Sequence, residues 1–259
     1  MNVIEMSGIE KVYEGRNPVT ALTGVDLNVG DGEFIALLGP SGCGKSTLLN
    51  IVAGFEQPTG GVLKIEGAPP KPPGPDRAVV FQEPALFPWL TVRDNVTFGP
   101  RIQRKPRGSF EQEAQRFIDL VGLTGFEKHY PDQLSGGMKQ RVGIARCLLM
   151  QPKLFLMDEP FGARDAQTRL QMQELLLHVW DTLKRTVVFI THDIDEAIFL
   201  ADTVYVMSAR PGRIRSRIPV TLPRPRDVDL LTDPVFNALR KDILHQIREE
   251  AGKSGAAAH

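Results

Sequence analysis

The strongest constraint on what this chain folds into is a glycine-rich run that ends in a lysine and two hydroxyl residues: Gly39, Pro40, Ser41, Gly42, Cys43, Gly44, Lys45, Ser46 and Thr47. An apolar segment, residues 34–38, precedes it, and a helical pattern follows it. Glycines let successive backbone N–H groups converge on an anion, and the start of a helix adds a positive dipole. This order therefore predicts a phosphate loop, with Lys45 on the outer phosphates and the Ser46 hydroxyl on Mg²⁺.

Apolar runs and helical patterns alternate along the 259 residues, which predicts an α/β fold. The predicted strands are residues 25–29, 33–38, 62–66, 77–81, 153–157, 186–190 and 203–207. Several are nearly continuous apolar runs, which is typical of strands buried on both faces of a parallel sheet. We expect a mixed sheet, because residues 25–29 and 62–66 lie near turns rather than crossover helices.

Helices are predicted from apolar residues at helical spacing and from capping residues. One stripe is Phe110, Ala114, Phe117, Ile118 and Val121. A second helix starts after Ser135, a good N-cap, and a third covers residues 170–183. A last helix begins at Asp233 and Pro234, and its predicted buried stripe is Val235, Leu239, Ile243 and Ile247.

Composition narrows the range of functions. With 31 basic and 31 acidic residues the formal net charge is zero, which offers no electrostatic footprint for nucleic acid. We expect no nucleic-acid partner, with a local basic patch as the alternative. The two cysteines, Cys43 and Cys147, are too few for a disulfide framework and suit a reducing cytosol. We find no secretory signal and no apolar run of ~18 residues, so we expect any membrane role to depend on partners. Cys43, inside the phosphate loop, predicts sensitivity to thiol reagents until a nucleotide binds.

Two carboxylates follow the apolar strand at residues 153–157: Asp158 and Glu159. Ligands bind at the carboxyl edge of a parallel sheet. Asp158 is therefore predicted to hold Mg²⁺ through water, and Glu159 to polarise an attacking water as general base. Taken alone, the two carboxylates can equally be solvent-exposed residues that merely end the strand.

A further motif opens the helix predicted after Ser135: Leu134, Ser135, Gly136, Gly137, Met138, Lys139, Gln140 and Arg141. A hydroxyl and two glycines at a helix start form a second anion site. This run resembles the LSGGQ motif of ABC ATPases, with Met138 in place of the usual Gln. The resemblance covers about residues 3–225. It implies a homodimer in which a second copy of the chain supplies this motif head to tail, so that two ATP molecules are sandwiched.

Other ABC elements match residue by residue. The resemblance implies that Tyr13 stacks on adenine, although a tyrosine packed near a strand end is an alternative. It implies that Gln82 contacts Mg²⁺ and the attacking water, and that His192 holds the γ-phosphate and orients Glu159. Asp165 matches the D-loop aspartate, but Arg164 replaces the family's leucine, which puts the strength of dimer closure in doubt.

The same resemblance implies a single ABC ATPase domain over residues 1–259. Its parts are a P-loop NTPase (RecA-like) core with a mixed sheet, an N-terminal antiparallel β subdomain and an inserted α-helical subdomain. We place the core at residues 1–84 and 152–215, the helical subdomain at 85–151 and a C-terminal extension at 216–259. The extension is expected to pack on the core, to aid dimerisation or to touch a permease.

Residues 81–96, 208–214 and 221–227 are similar to the nitrate/sulfonate/taurine import group. That likeness implies two integral-membrane permease subunits, an extracytoplasmic solute-binding protein and a peripheral position on the cytoplasmic face of the inner membrane. The bulky loop at residues 87–90 either docks a permease or folds into its own domain. An ABC exporter, a soluble ABC ATPase of translation or DNA repair, and a small-molecule P-loop kinase are the competing hypotheses.

Overall fold

The computed structural model describes residues 2–162 and 166–256, the last six of these as backbone only. The strands are β1 Asn2–Tyr13, β2 Val19–Gly30, β3 Phe34–Leu38, β4 Gly60–Ile65, β5 Arg77–Val80, β6 Leu154–Asp158, β7 Thr186–Thr191, β8 Thr203–Met207 and β9 Ile214–Pro219. The helices are α1 Lys45–Ala53, α2 Val92–Ile102, α3 Glu111–Leu120, α4 Gly136–Leu149, α5 Ala166–Leu183, α6 Ile194–Leu200 and α7 Pro234–Ala256. These elements fall into two compact units, Met1–Pro73 with Lys184–His259, and Gly74–Leu183.

The first unit contains a three-stranded antiparallel sheet in the order β2-β1-β4. The central strand pairs on both sides, with Met6 opposite Leu27 and Leu63. The predicted strands at residues 25–29 and 62–66 both lie in this separate sheet. The main sheet is mixed, as expected, but these two segments are not the reason, because both of them pair with β1 in the separate sheet.

The second sheet of this unit holds β7, β3, β8 and β9 side by side. The first three are parallel and β9 is antiparallel to β8, so it is β9 that makes the sheet mixed. Every residue of β3, β7 and β8 is buried, as their apolar runs predict. Leu38 pairs with both Thr191 and Val206, so the chain leaves all three parallel strands at one edge.

The C-terminal extension packs within the first unit. The guanidinium of Arg240 on α7 donates to both carboxylate oxygens of Asp195 on α6, at 2.5 and 2.7 Å. Buried Arg226 donates to the backbone carbonyls that end α6, including that of Ala201 at 2.8 Å. The Arg226 bonds satisfy backbone carbonyls that the end of a helix leaves without a partner. Residues 216–250 thus cover the first unit, which was one of the three expected roles.

The predicted stripe of the last helix was partly wrong. Val235 is 47% exposed, whereas its neighbour Phe236 is fully buried and is followed at a seven-residue interval by buried Ile243. The phenylalanine has the larger apolar area to bury, so it replaces Val235 as the first residue of the stripe, whereas Ile243 is buried as predicted.

The second unit pairs β5 and β6 in parallel and also contains α2, α3, α4 and α5; α4 contacts β5, and α2 and α3 pack on α4. The predicted stripe is confirmed in and beside α3, where all five of its residues are buried. Helix α5 starts at Ala166, four residues before the predicted start. Helix α2 was not predicted because Gly99 and Pro100 interrupt its pattern. Among the described residues, no helix combines the length and apolarity needed to cross a bilayer.

Candidate functional site

The phosphate loop connects β3 to α1 in the first unit. Gly44 caps α1 in the left-handed region, at φ 97°. A Cβ atom there would lie 2.7 Å from Leu22 Cδ2 and 3.0 Å from the Ala21 carbonyl oxygen. Gly39 is equally confined, with Cys43 Sγ at 3.0 Å from the position of a Cβ. The glycines thus let the loop turn against β2 and β8 and keep its N–H groups at the start of α1.

Lys45 folds back over the loop that it follows. Its Nζ donates to the carbonyl oxygens of Gly39 at 2.8 Å and Pro40 at 3.1 Å, and the residue is only 6% exposed. Ser46 and Thr47 follow in the first turn of α1. The ammonium group is therefore held at the loop by neutral carbonyl acceptors, which an anionic phosphate can replace because it binds a cation more strongly.

Cys43 does not have the surroundings of a reactive thiol. It is 1% exposed, and burial raises the pKa of its thiol from the ordinary 9.0, although nearby Lys45 acts in the opposite direction. Since the thiolate is the nucleophile, a buried neutral thiol reacts slowly. This burial, which the sequence pattern did not reveal, argues against the expected sensitivity to thiol reagents, and that sensitivity stays a prediction.

Tyr13 reaches the phosphate loop from the end of β1. Its hydroxyl lies 3.3 Å from Thr47 Oγ1 and donates to the Glu56 carboxylate at 2.8 and 2.9 Å. Lys11 pairs with the same carboxylate at 3.1 Å and lies 5.0 Å from the centre of the Tyr13 ring. Burial and the carboxylate raise the pKa of Tyr13, so the hydroxyl stays a donor. The tyrosine is thus a half-exposed ring held beside the loop.

His192 stands next to the phosphate loop at the edge of the sheet. It follows Thr191, the partner of Leu38 in the neighbouring strand, and it is exposed. The turn after it is fixed, because Thr191 Oγ1 donates to Glu196 at 2.6 Å and accepts from the Asp193 N–H at 3.0 Å. Parallel pairing therefore places the histidine beside the phosphate loop, at the carboxyl edge of the sheet where ligands bind.

In the second unit, β5 and β6 bring Gln82 together with the two acidic residues. Val80, the last residue of β5, pairs with Met157 of β6. Asp158, the last residue of β6, therefore lies level with the residues that lead from β5 to Gln82. Glu159 comes next in the left-handed region, at φ 45°, and is half-buried. A non-glycine residue in that region is uncommon and recurs at functional sites.

Ser135 caps the start of α4, as predicted. Its Oγ accepts from the Met138 N–H at 3.3 Å, and buried Leu134 anchors the preceding turn. The serine is exposed, and Gly136 and Gly137 form the first turn without side chains over it. The hydroxyl accepts in the cap and so keeps its own hydrogen for an anion.

Two residues of α4 for which the sequence predicts no role, Gln140 and Arg146, hold the segment around Gln82. Arg146 donates to the carbonyl oxygens of Ala85 at 2.9 Å and Pro84 at 3.2 Å, and Gln140, fully buried, donates to that of Phe81 at 3.2 Å. The only sequence signal was polar residues on the otherwise apolar face of a helix. They tie the helix of Ser135 to the loop of Gln82.

The structure thus brings Tyr13, the phosphate loop and His192 together in one unit. In the other it gathers Gln82, Asp158 and Glu159, and separately presents residues 135–137 at a helix start. The predicted D-loop residue Asp165 and its neighbour Arg164 lie outside the described residues. The chemical roles of all these side chains remain predictions.

Comparison with known proteins identifies the family. The family described as ABC transporter matches residues 22–162. A nitrate import ATP-binding protein of Synechocystis is 46% identical over 221 residues, which cover 85% of this chain and 83% of that protein. A taurine import ATP-binding protein of Burkholderia pseudomallei is 46% identical over 249 residues, or 93% and 95% of the two chains. An uncharacterised ABC transporter ATP-binding protein of Methanocaldococcus jannaschii is 48% identical over 252 residues, or 97% and 93%.

Solved structures show the same fold. A dimeric ATP-binding cassette in a post-hydrolysis state, bound to ADP and Pi, superposes with a TM-score of 0.73 and 31% identity. The match covers 85% of this chain and all of that one. The predicted α/β fold with an antiparallel N-terminal sheet and a helical subdomain is therefore confirmed, and the chain belongs to the ATP-binding subunits of the ABC transporter family.

Proposed function

We propose that this chain binds and hydrolyses ATP to power an ABC importer of a small solute such as nitrate, taurine or another sulfonate. The observation that carries the proposal is the edge of the parallel sheet in the first unit. There the phosphate loop and His192 leave neighbouring strands side by side, and Tyr13 is held at Thr47. This arrangement offers one surface for the base and the phosphates of one nucleotide.

Nucleotide binding rests on the phosphate loop. The N–H groups from Gly42 to Thr47 surround the phosphates, and Lys45 exchanges its carbonyl partners for the β- and γ-phosphate oxygens. The Tyr13 ring stacks on adenine. Its hydroxyl is already satisfied by Glu56, so the ring is held in place before the base arrives.

Hydrolysis rests on positioned groups at strand ends. Glu159 acts as general base toward the attacking water, Gln82 orients that water, and His192 holds the γ-phosphate. The left-handed backbone conformation at Glu159 sets the direction in which its side chain leaves the main chain. Such positioning together with charge stabilisation is the main contribution of a protein to phosphoryl transfer.

The oxygen donors on the chain fit Mg²⁺. Ser46 offers a hydroxyl, Asp158 a carboxylate and Gln82 an amide oxygen, and Mg²⁺ prefers few protein ligands together with phosphate oxygens and water. Over the described ranges, no group of three His, Cys, Asp or Glu side chains forms a metal cluster. When bound, the ion would neutralise charge on the phosphates.

A second copy of the chain completes each site. Ser135, Gly136 and Gly137 present a free hydroxyl hydrogen and helix N–H groups toward solvent, which suits the γ-phosphate held by a partner's loop. The dimeric cassette with ADP and Pi supports this assembly through its similarity. Asp165 is proposed to contact the same interface.

Permease subunits dock on the helical subdomain, residues 85–151. Trp89 is 70% exposed and packs on Phe87, which in turn contacts Phe98 with ring centroids 4.2 Å apart. Buried Asn95 fixes this loop by donating to the carbonyl oxygens of Phe87 and Leu90. An ordered, exposed aromatic suits a partner surface. Docking there places the chain peripherally on the cytoplasmic face of the inner membrane, with the solute-binding protein reached only through the permeases.

Gel filtration of Glu159→Gln tests the catalytic proposal. With Mg·ATP we expect a shift from monomer to dimer, because the sandwich forms but does not turn over. Hydrolysis should fall by about 10²–10⁴-fold while ATP affinity is retained. Normal turnover by this variant would refute Glu159 as the base. No dimer despite bound ATP would refute nucleotide-driven closure by the isolated subunit.

Solute choice is tested separately by complementation. The chain is expressed, with its own permeases and binding protein, in strains that lack nitrate or taurine import. Restored growth on one of these compounds as sole nitrogen or sulfur source identifies the solute. Release of a compound from loaded cells, with no uptake of either, would refute import.

A further inference from the structure

The loop between β8 and β9 packs directly against the phosphate loop. A Cβ atom on Gly212 would lie only 2.0 Å from the carbonyl oxygen of Cys43, so only glycine fits there. Gly212 also donates to the Ala21 carbonyl at 2.9 Å, and its own carbonyl accepts from Thr23 at 3.1 Å. The loop is therefore fixed to both β2 and the phosphate loop.

Hydrogen bonds also hold this loop together internally. The Ser208 N–H donates to the Arg213 carbonyl at 2.9 Å, and Ser208 Oγ accepts from the Arg213 N–H at 3.1 Å. Ser208 Oγ also donates toward the carbonyl of Pro211 at 3.2 Å. The backbone that carries Arg210 is consequently restrained, so this residue has already lost part of the freedom that binding would cost it.

Arg210 extends from this loop toward the crest of the phosphate loop. Its Nη2 lies 3.6 Å from the position that a Cβ atom would take on Gly42. The residue is exposed, and the described part of the chain offers its guanidinium no carboxylate and no hydrogen-bond acceptor. Lys45, by contrast, is buried and bound to carbonyls of its own loop.

We propose that Arg210 is a second phosphate-binding cation of this site, and that it contacts the terminal phosphate of the nucleotide. The inference rests on the proposed ATP-binding function. Inner phosphates lie at the N-terminus of α1, near Gly44 and Lys45. Gly42 precedes that end at the crest of the loop, so a cation beside it meets the outer end of the phosphate chain. A guanidinium suits this role, because it presents paired donors to phosphate oxygens.

The test measures affinity by calorimetry for ADP and for a non-hydrolysable ATP analogue, using the full chain. Arg210→Gln is compared with Arg213→Gln, which removes an exposed arginine from the same loop. We expect Arg210→Gln to weaken binding of the analogue by about tenfold and to leave ADP affinity nearly unchanged. Arg213→Gln should change neither affinity, and Arg210→Lys should recover part of the loss.

Three results would overturn the proposal. They are unchanged affinity of Arg210→Gln for the analogue, an equal loss for ADP and the analogue, or the same loss in Arg213→Gln. The last two would show a general effect of loop charge or loop structure. Failure of the unaltered chain to bind either nucleotide would instead refute the proposed function, so the two failures are distinguishable.

Discussion

Leu38 and Thr191 are direct partners in neighbouring parallel strands, and the phosphate loop and His192 follow them at the same level. Two segments that are far apart in sequence thus leave the sheet side by side. Both paired residues are buried, whereas His192, which follows Thr191, is exposed beside the phosphate loop. The strand register therefore determines the distance between a bound phosphate and the histidine.

From this relationship we expect His192→Ala to lose hydrolysis while it still binds ATP. Loss of a positioned polar group in phosphoryl transfer should lower turnover by about 10²–10⁴-fold. The matched control is His245→Ala, since His245 is an exposed histidine of the same unit, on α7. Steady-state ATPase assays and nucleotide titrations measure both effects. Equal activity of the two variants would remove His192 from the mechanism.

The head-to-tail arrangement predicts complementation between two defective subunits. Lys45→Ala spoils the phosphate loop and Ser135→Arg blocks the helix start, each in the Glu159→Gln background. Neither variant alone should form a dimer with Mg·ATP, because both of its sites are damaged. In a dimer of one copy of each variant, the altered phosphate loop faces the altered helix start, so both defects fall in one site. The other site combines an intact phosphate loop with an intact helix start.

We therefore expect the mixture to recover a dimer that retains labelled ATP on gel filtration. The yield should be lower than that of the Glu159→Gln parent, since only one of the two sites contributes. A mixture that stays monomeric would show that Ser135 serves the phosphate loop of its own chain.

Trp89→Ala should keep basal ATPase activity and lose assembly with the permeases. Ile102→Ala is a suitable control, because Ile102 is 64% exposed against 70% for Trp89 and belongs to the same unit. Large aromatic side chains dominate the energy of many interfaces, whereas scattered exposed aliphatic ones are common and neutral. Co-purification from membranes measures assembly. Normal recovery of Trp89→Ala would refute the docking surface.

Arg146→Met should destabilise the chain and slow hydrolysis together. It leaves the carbonyl oxygens of Pro84 and Ala85 without their charged donor, which costs roughly 1–3 kcal/mol of unfolding free energy. Arg101→Met removes an exposed ion pair with Asp94 and should cost less than about 1 kcal/mol. Urea unfolding gives both values.

A positioning role for Arg146 also predicts that Arg146→Lys recovers part of the turnover, since it can still bind one carbonyl. The assay is run at temperatures where the Arg146→Met chain is folded. If its turnover there equals that of the unaltered chain, the role of the arginine is purely structural.

Cys43 should react slowly with alkylating reagents at neutral pH. Its thiol pKa is raised by burial, so the thiolate appears only as the pH rises above the ordinary value of 9.0. The alkylation rate should therefore climb with pH through and beyond that value. Cys147, whose pKa burial raises to about 11, should react no faster. Mass spectrometry of alkylated peptides separates the two, and fast modification of Cys43 near pH 7 would contradict its burial.

The sequence by itself determined the family and most of the elements. Glycines before Lys45, the strand ending at Asp158 and the capped helix after Ser135 are local patterns, and local physics decides them. Each needs only a turn, a strand end or a helix start, so the residues that form it are neighbours in the chain. For the same reason their order along the chain could be matched to a known family.

Only the tertiary structure decided how distant segments pair and which side chains become buried. It paired residues 25–29 and 62–66 with the two sides of β1, buried Phe236 instead of Val235, and enclosed Cys43. It also brought Gly212 against Cys43 and thereby carried Arg210 to the phosphate loop. The physical reason is that burial and strand pairing depend on contacts between residues remote in sequence, and a local pattern does not record those contacts.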